Sequence, residues 1–477
     1  MKLYLKKLAF LLIVCAGFAA CGSDNNDITN PETPITPVTP VEPSKEQALS
    51  ITDQKEFLEK VALEFMDMTP ASDFDDIADL CKYINDTYVE DYDWDNVEDW
   101  ADDSFEAARE ALGTMTTETE TETWGRYTYN YNYIYAEYKA LLMASNFTGH
   151  FTANNGRWEL EKANDLQFIF TDKRGQKCVL KLETSGSVKK VYVLNVEDWM
   201  DYESKSSGYT YTYNEYYDRT QCTIGVPEKI VVTLTQNGKQ VACATLNTDL
   251  GSISGEEFDI SKNNLSLSFA LELNNGYKFE ASKVAYTANT SASIVSTITK
   301  NKTALVTMGI SADINDIPSV NVSAFSSESF DEDDYNFDDI NAKNVYVKFD
   351  VLGKVQIQGT LSDVRRFVDY LEDADDNYTN EVNYKSYIEH ANSLADINMF
   401  YNGNNVKQAT IKLEPFAEET WNGRTYWDVE PVIYFYDGSS YSTFEAFFND
   451  KDFKTTIDTF KKLANKYADL VDEHIDW

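Results

Sequence analysis

The spacing of hydrophobic and polar residues divides the chain into a helical beginning and a long strand-like middle. From about residue 50, apolar residues recur every three or four positions, which is the period of a helix with one buried face. Beyond about residue 147 the period becomes two, and in Leu265–Leu273 every second residue is a large apolar one. Such stretches continue to about residue 313, separated by short turns such as Asn237-Gly238. Because these turns leave no room for crossover helices, we expect a long antiparallel β-meander.

Three helices are predicted before the meander. The first has an N-cap signal at Asp53, and Pro70 stops it. The second opens at Ser72. A third, short helix over residues 105–112 ends at Gly113, a residue suited to a helix C-terminus.

A second unit of strands and helices is predicted after an acidic, polar stretch at residues 326–339. Its strands are expected at 345–351, 355–361, 408–413 and 432–436, and its helices at 362–373, 384–398 and from 453 to about 470. The last helix is amphipathic, with Lys461 and Lys466 on its solvent side. Helices, a meander and a strand–helix unit in this order predict an α+β fold. The expected parts are a signal peptide (1–20), a lipidated Pro-rich tether (21–45), an acidic helical segment (46–146), an antiparallel β-meander (147–325) and an α+β C-terminal part (326–477).

The beginning of the chain predicts export and attachment of a lipid. A lysine-containing start precedes an apolar run over residues 8–20, which is too short to cross a bilayer and is typical of a secretory signal. The run ends in Phe18-Ala19-Ala20-Cys21, which resembles the lipobox of bacterial lipoproteins. That resemblance implies an acylated Cys21 as the new N-terminus. The alternative is an ordinary signal peptide that is cleaved before an unmodified cysteine.

The residues after Cys21 are first acidic and then rich in proline. Gly22-Ser23-Asp24-Asn25-Asn26-Asp27 resembles the surface-export signal of Bacteroidetes lipoproteins. The resemblance implies an outer-membrane lipoprotein that faces the cell exterior, with the periplasmic face as the alternative. Prolines recur every few residues from Pro31 to Pro43, so this segment stays extended and forms a stalk. Together, export signal, stalk and β-rich body are similar to uncharacterised surface lipoproteins of Bacteroidetes.

Two known groups of lipoproteins bear on the body of the chain. The glycan-capturing lipoproteins of starch-utilisation systems share its length and anchor, but they are mostly helical, whereas residues 147–360 are strand-like. The meander with flanking helices resembles, at the level of fold only, the open half-barrels of periplasmic lipoprotein carriers. A likeness of fold does not establish function.

The charge of the chain excludes one class of partner. The formal net charge is −39, with 80 acidic and 41 basic residues. Such a chain repels nucleic acid and anionic lipid headgroups. We therefore expect no nucleic-acid partner, and contact with the membrane only through the lipid anchor.

One acidic stretch matches part of a calcium loop. Asp91, Asp93, Asp95, Asp99 and Asp102 place carboxylates at five of the six ligand positions of such a loop. Two departures count against it: the last position is an aspartate where a glutamate is usual, and an asparagine stands where the loop has glycine. The alternative is a solvated acidic connector between helices. No cofactor other than calcium is suggested.

Two runs alternate tyrosine with threonine, asparagine or isoleucine. Their tyrosines are Tyr127, Tyr129, Tyr131, Tyr133 and Tyr135 in one run, and Tyr209, Tyr211 and Tyr213 in the other. In a strand, each run places its phenols on one side. Aromatic faces flanked by polar groups are suited to holding sugar rings, so we interpret these tyrosines as a ligand-binding surface. The alternative is a half-buried ladder that only stabilises a sheet.

No catalytic set is recognised in the sequence. Histidines 150, 390 and 474 have no nucleophile motif nearby, and no phosphate loop, dinucleotide fingerprint or zinc-spaced cluster is found. The four cysteines of the body fit no metal pattern. We therefore predict a non-catalytic surface lipoprotein that binds a glycan or an envelope protein through a Tyr-rich sheet. The alternatives are a carrier of a lipid or other apolar ligand, and a hydrolase with an unrecognised carboxylate pair.

Overall fold

The computed structural model describes most of the body of the chain. The described residues are 40–41, 47–90, 92–253, 258–259, 261–315, 341–421, 424–436, 441–448 and 451–470. The expected signal peptide, the lipidation site Cys21 and nearly all of the tether lie outside them, as do Asp91 and His474.

Three helices form near the positions that the apolar spacing predicts. They are α1 (Ile51–Met68), α2 (Asp75–Ile84) and α3 (Asp95–Ala108). Helix α1 begins earlier than predicted because Ser50 is its N-cap, and the Ser50 hydroxyl accepts a hydrogen bond from the Asp53 N–H at 3.2 Å. Helix α3 begins well before the predicted residue 105 and ends at Ala108, so it takes in much of the acidic connector and the predicted end at Gly113 is wrong. Helix α2 begins at Asp75 and not at the predicted Ser72.

The first strands begin at residue 114 and not near 147. They are β1 (Thr114–Trp124) and β2 (Tyr127–Leu142), and they form an antiparallel hairpin. The prediction of a helical segment up to residue 146 is therefore wrong for this stretch. The reason lies in its side chains, since threonine and tyrosine at every second position favour a strand and offer no apolar stripe at helical spacing.

The remaining strands form the predicted meander and extend it. They are β3 (Gly149–Asn154), β4 (Arg157–Glu161), β5 (Leu166–Thr171), β6 (Lys177–Ser207), β7 (Thr210–Gln236), β8 (Lys239–Asp249), β9 (Leu265–Leu273), β10 (Tyr277–Thr287), β11 (Ser291–Lys300), β12 (Thr303–Asn315), β13 (Asn341–Val351), β14 (Val355–Asp363), β15 (Ala395–Tyr401), β16 (Ala409–Trp421), β17 (Arg424–Phe435) and β18 (Tyr441–Thr443). From β5 to β18 each strand pairs antiparallel with the next. The sheet thus continues across the predicted boundary at 326. Two pairings are parallel, β2 with β7 and β3 with β5, which the meander prediction did not include.

The C-terminal helices lie between and after the last strands. They are α4 (Val364–Asp376), α5 (Glu381–Leu394), α6 (Phe444–Phe447) and α7 (Lys454–Asp469). The helix predicted over 384–398 ends at Leu394, because the apolar residues after it alternate and form β15. The α+β fold class, with N-terminal helices, a long meander and a C-terminal amphipathic helix, is confirmed.

The core lies between the helices and one face of the sheet. Near the N-terminal helices, Trp94 and Ile84 pack against strand residues such as Phe151 and Leu271, which are fully buried. A second cluster joins α1 and α7 to β14–β17, with Ile433 at its centre. Among the described residues, no helix is long and apolar enough to cross a membrane.

The four cysteines of the body are free thiols in this core. Cys178 and Cys222 are buried, and Cys81 and Cys243 are half-buried. Burial raises the pKa of the Cys81 and Cys178 thiols to about 11. These thiols are therefore protonated at neutral pH and behave as small apolar side chains.

Candidate functional site

Strands β1 and β2 and the outer parts of β6 and β7 form a four-stranded extension of the sheet, which we call the arm (residues 114–142 and 188–224). The strand order is β1-β2-β7-β6. Strand β2 has 16 residues, so the arm spans about 50 Å at ~3.3 Å per residue. No residue is buried between 114 and 134 or between 201 and 219. As far as the described residues show, the outer part of the arm is therefore a single layer of sheet with neither side covered, whereas nearer the base Tyr135, Ala140, Val191, Thr220 and Cys222 are buried.

Each hairpin of the arm ends in a two-residue turn that begins with glycine. Gly125 has φ 64° and Gly208 has φ 65°. A positive φ at the first central position fits the type II′ turn, which matches the twist of a hairpin. Because β2 and β7 run parallel, Thr128 lies beside Thr210 and both turns lie at the same end of the arm.

The parallel register brings the two tyrosine runs together on one side, which we call the tyrosine face. Its members are Tyr127, Tyr129, Tyr131, Tyr133, Tyr135, Tyr209, Tyr211, Tyr213 and Tyr217. Three pairs of rings stack across the two strands, with centroid distances of 5.2 Å for Tyr129–Tyr211, 5.3 Å for Tyr131–Tyr213 and 5.4 Å for Tyr135–Tyr217. The sequence predicted the two rows separately and did not include Tyr217, and the structure makes them one surface.

The tyrosine face is bordered by different groups on its two sides. On β1, Glu118, Glu120 and Glu122 lie opposite the tyrosines of β2. On β6, Ser204 and Ser206 lie opposite the tyrosines of β7. Within the described residues none of these three glutamates forms a salt bridge. The border thus offers carboxylate acceptors along one side and hydroxyls along the other.

The stacked tyrosines keep their polar ends available. Tyr217 donates a hydrogen bond to Glu215 Oε2 at 2.7 Å. For the hydroxyls of the other stacked tyrosines on the outer arm (Tyr129, Tyr131, Tyr211 and Tyr213), no partner is found in the part of the chain that the structure describes. A phenol without a protein partner is free to donate to and accept from a ligand.

Some phenols of this face, among them those of Tyr131 and Tyr217, have a raised pKa. The hydrogen bond to Glu215 raises the pKa of Tyr217 to about 12. Burial, followed by the charge of Glu122, raises the pKa of Tyr131. Because a raised pKa stabilises the fold below the ordinary value near 10, that contribution is lost as the pH rises from about 10 to about 12.

We therefore expect the urea midpoint of unfolding to fall between about pH 10 and pH 12. The substitution Tyr217→Phe removes the Tyr217 contribution, so its midpoint is expected to fall less steeply over this range, as measured by circular dichroism. An equally steep fall in the variant would contradict the assignment.

The tip of the arm carries two residues that the sequence interpretation missed, Trp124 and Arg126, beside the predicted Tyr209. Trp124 is 70% exposed and Tyr209 is 52% exposed. The guanidinium carbon of Arg126 lies 4.9 Å from the Tyr209 ring centroid. The signal was present, because Trp124-Gly125-Arg126 interrupts two alternating runs as a turn would.

Helix α3 fastens the base of the arm. Beyond its end, Arg109 donates to Asp218 Oδ2 at 2.7 Å, and its guanidinium carbon lies 3.6 Å from the Tyr138 ring centroid. The Arg109 and Asp218 side chains are 13% and 14% exposed. This contact joins the helical layer to two strands of the arm.

The side of the arm opposite the tyrosine face is polar, and several of its side chains form hydrogen bonds with one another. Asn132 accepts a hydrogen bond from Thr119 at 2.9 Å and donates to Asn214 at 2.8 Å. Thr121 donates to Asn130 at 3.0 Å. Side-chain bonds thus link three strands on this side, which leaves the tyrosine face as the side with free polar groups.

The acidic stretch proposed for calcium lies largely on a helix. Asp95, Asp99 and Asp102 are exposed residues of α3, and the carboxylate of Asp93 accepts a hydrogen bond from the Asp95 N–H at 2.9 Å. The described part of this motif therefore lacks the loop geometry on which the calcium prediction depends. No group of three metal-ligating side chains occurs among the described residues. Because Asp91 lies outside them, calcium stays a prediction.

The buried aspartates have structural partners. Asp172 accepts from two backbone N–H groups of its own turn and from Gln236 at 2.7 Å. Asp350 accepts from the Gly353 N–H and from Gln356. These carboxylates stabilise turns, so neither of them supports the hydrolase alternative.

Comparison with known proteins finds no family model, no curated protein and no solved structure that matches the chain.

Proposed function

We propose that this chain is a non-catalytic surface lipoprotein, anchored through Cys21 in the outer membrane, that binds a neutral glycan chain along the tyrosine face. One observation carries the proposal: nine tyrosines share one side of a sheet, and no helix of the described residues covers the outer part of that sheet. A row of aromatic residues that serves only the core would lie under other elements of the fold. Tyr127 and Tyr209 are exposed, Tyr135 is buried and the other six are half-buried, so the uncovered row keeps part of its aromatic surface open to a ligand.

The chemistry of the tyrosine face fits sugars. The apolar C–H faces of sugar rings pack on aromatic side chains, and sugar hydroxyls need hydrogen-bond partners at the rim. The free phenols, the glutamates of β1 and the serines of β6 supply such partners. The same carboxylates repel anionic polymers, so the expected ligand is neutral. Tyr127 and Tyr135 lie about 26 Å apart at ~3.3 Å per residue, a length that suits a chain of several sugars better than a single sugar.

A glycan array tests the proposed ligand class. The purified chain is expected to bind neutral oligosaccharides, with stronger signals for longer chains, and not their sulfated or uronic-acid counterparts. Binding that prefers acidic glycans, or hydrolysis of a bound glycan, would contradict the proposal. If the array is blank, the envelope-protein alternative takes its place.

A second candidate function rests on an apolar strip across β11, β12 and β13. Ile294, Met308, Ile310 and Phe349 are 38%, 48%, 50% and 39% exposed. The register aligns Ile294 with Ile310, and Met308 with Phe349, on one side of the sheet. An exposed patch of this kind favours the carrier alternative, in which an apolar ligand lies on the sheet.

The carrier alternative predicts that a fluorescent fatty acid binds to the strip. Ile310→Asp is expected to weaken binding about tenfold or more, because it places a charge at the centre of the patch. Met115→Asp is the matched control, since Met115 is 61% exposed on the arm and far from the strip in sequence. Equal binding by the wild type and both variants, or none by the wild type, would remove the carrier alternative.

A further inference from the structure

The two edges of the arm differ in regularity. Strand β6, at one edge, has two register shifts along its outer part, where β6 holds an extra residue against β7. Such bulges interrupt an edge and prevent another strand from pairing with it. Strand β1, at the other edge, pairs with β2 in unbroken register over its 11 residues, all of them exposed. Within the described residues, no strand pairs with the outer side of β1.

The outward backbone groups of β1 belong to its threonines. In a two-residue hairpin the closing pair, here Trp124 with Tyr127, is hydrogen-bonded, and bonded pairs then alternate along the ladder. The glutamates of β1 therefore bond to β2 through their backbones. The residues between them direct their N–H and C=O groups outward, and these are Thr117, Thr119, Thr121 and Thr123. An added strand would extend this ladder without displacing any part of the arm.

The side chains beside this edge indicate the charge of an added strand. Glu118, Glu120 and Glu122 recur every second residue, or about 6.8 Å, on the tyrosine side of β1. Side chains on one face of any strand have the same spacing. An added strand with a basic residue at every second position would therefore meet each glutamate in turn.

At the base of the arm, an arginine already lies between a tyrosine ring of β2 and a carboxylate of β6. The Arg219 guanidinium carbon lies 3.9 Å from the Tyr135 ring centroid, and Arg219 Nε donates to Glu197 Oε1 at 2.7 Å. A cation between a tyrosine ring and a carboxylate gains from both. Between this base and Arg126 at the tip, no lysine or arginine of the described residues lies over the rings of Tyr129, Tyr131 or Tyr133.

We propose that β1 accepts, by strand addition, an extended segment of a partner protein that carries lysine or arginine at every second residue. A second copy of this chain does not fit, because an added β1 would place glutamates against glutamates and join two molecules of net charge −39. The proposal differs from glycan binding in its main contact, which is the outward backbone of β1, while the glutamates of β1 border both sites.

The experiment uses the purified full chain and a labelled synthetic peptide that alternates lysine with threonine. Binding of the peptide is measured by fluorescence anisotropy at low and at physiological salt. The wild type is expected to bind saturably. Thr121→Pro removes one outward N–H and is expected to weaken binding about tenfold or more, because proline cannot extend the ladder. Thr121→Val is the matched control, since it loses the same side-chain bond to Asn130 but keeps the N–H. It is expected to bind like the wild type.

A second variant tests the charges. Glu118→Gln, Glu120→Gln and Glu122→Gln together are expected to weaken binding roughly tenfold and to flatten its salt dependence. The proposal is overturned if Thr121→Pro binds like the wild type, if a peptide alternating glutamate with threonine binds equally well, or if the lysine peptide does not bind at low salt. Glycan binding measured on Thr121→Pro and Thr121→Val separates this result from the proposed function, because the Thr121 side chain lies on the side of β1 away from the tyrosines.

Discussion

Gly359→Ala is expected to destabilise the protein by about 3 kcal/mol. Gly359 lies in β14 between Val347 of β13 and Ile397 of β15. A Cβ added there would stand 2.2 Å from the Asp396 carbonyl oxygen and 2.5 Å from the Ile397 Cα. Both atoms belong to the backbone of the neighbouring strand, so two strands must separate. The effect is large because this part of the sheet lies over the core formed by α1 and α7.

Urea unfolding followed by tryptophan fluorescence measures this loss, with Gly113→Ala as the control. A Cβ at Gly113 would meet only the Glu137 carbonyl oxygen at 3.7 Å, an ordinary contact. This substitution is expected to change the free energy of unfolding by less than about 0.5 kcal/mol. Equal midpoints for the two variants would show that β14 and β15 are not as close as described.

Arg109→Ala is expected to cost about 2–3 kcal/mol and to loosen the arm from α3. The substitution leaves the carboxylate of Asp218, which is 14% exposed, without its cation. It also removes the guanidinium that packs on Tyr138. Hydrogen exchange is expected to quicken at the base of β2 and β7 and to change little in the core strands.

A double-mutant cycle separates the ion pair from general damage. If the pair acts as described, Arg109→Ala and Asp218→Ala combined should cost clearly less than the sum of the two single changes, because the second change removes the stranded charge. An additive result would mean that Arg109 and Asp218 do not stabilise each other. In that case Arg109 would stabilise the arm only by packing on the Tyr138 ring.

Much of the fold follows from local pattern. The strand predicted at Leu265–Leu273 has those bounds, and the Asn237-Gly238 turn joins β7 to β8 as expected. The alternation of apolar and polar side chains determines such strands, and it can be recognised within a short stretch of consecutive residues. Where two patterns compete locally, the prediction failed, as in residues 395–398, which belong to β15 and not to a helix.

The site was only half predictable for a physical reason. Alternation places the tyrosines of each run on one side of a strand, but it does not tell which strand lies beside which. The parallel pairing of β2 with β7 joins residues more than 80 positions apart, such as Tyr129 and Tyr211. Likewise, nothing local to Arg109 indicates Asp218 as its partner. The sequence indicates a turn beside Trp124, but nothing in it predicts that the Trp124 side chain is exposed at the tip.

Calorimetric titration with a neutral oligosaccharide selected on the array tests whether the tyrosine face is the binding surface. The variant for the tyrosine face combines Tyr129→Ala, Tyr131→Ala and Tyr211→Ala, and the control for the opposite side combines Asn130→Ala, Asn132→Ala and Thr212→Ala. The account predicts that the first weakens binding about 100-fold, at about 1 kcal/mol for each aromatic contact, while the second binds like the wild type. Unchanged binding by the tyrosine variant, or an equal loss in the control, would contradict the account.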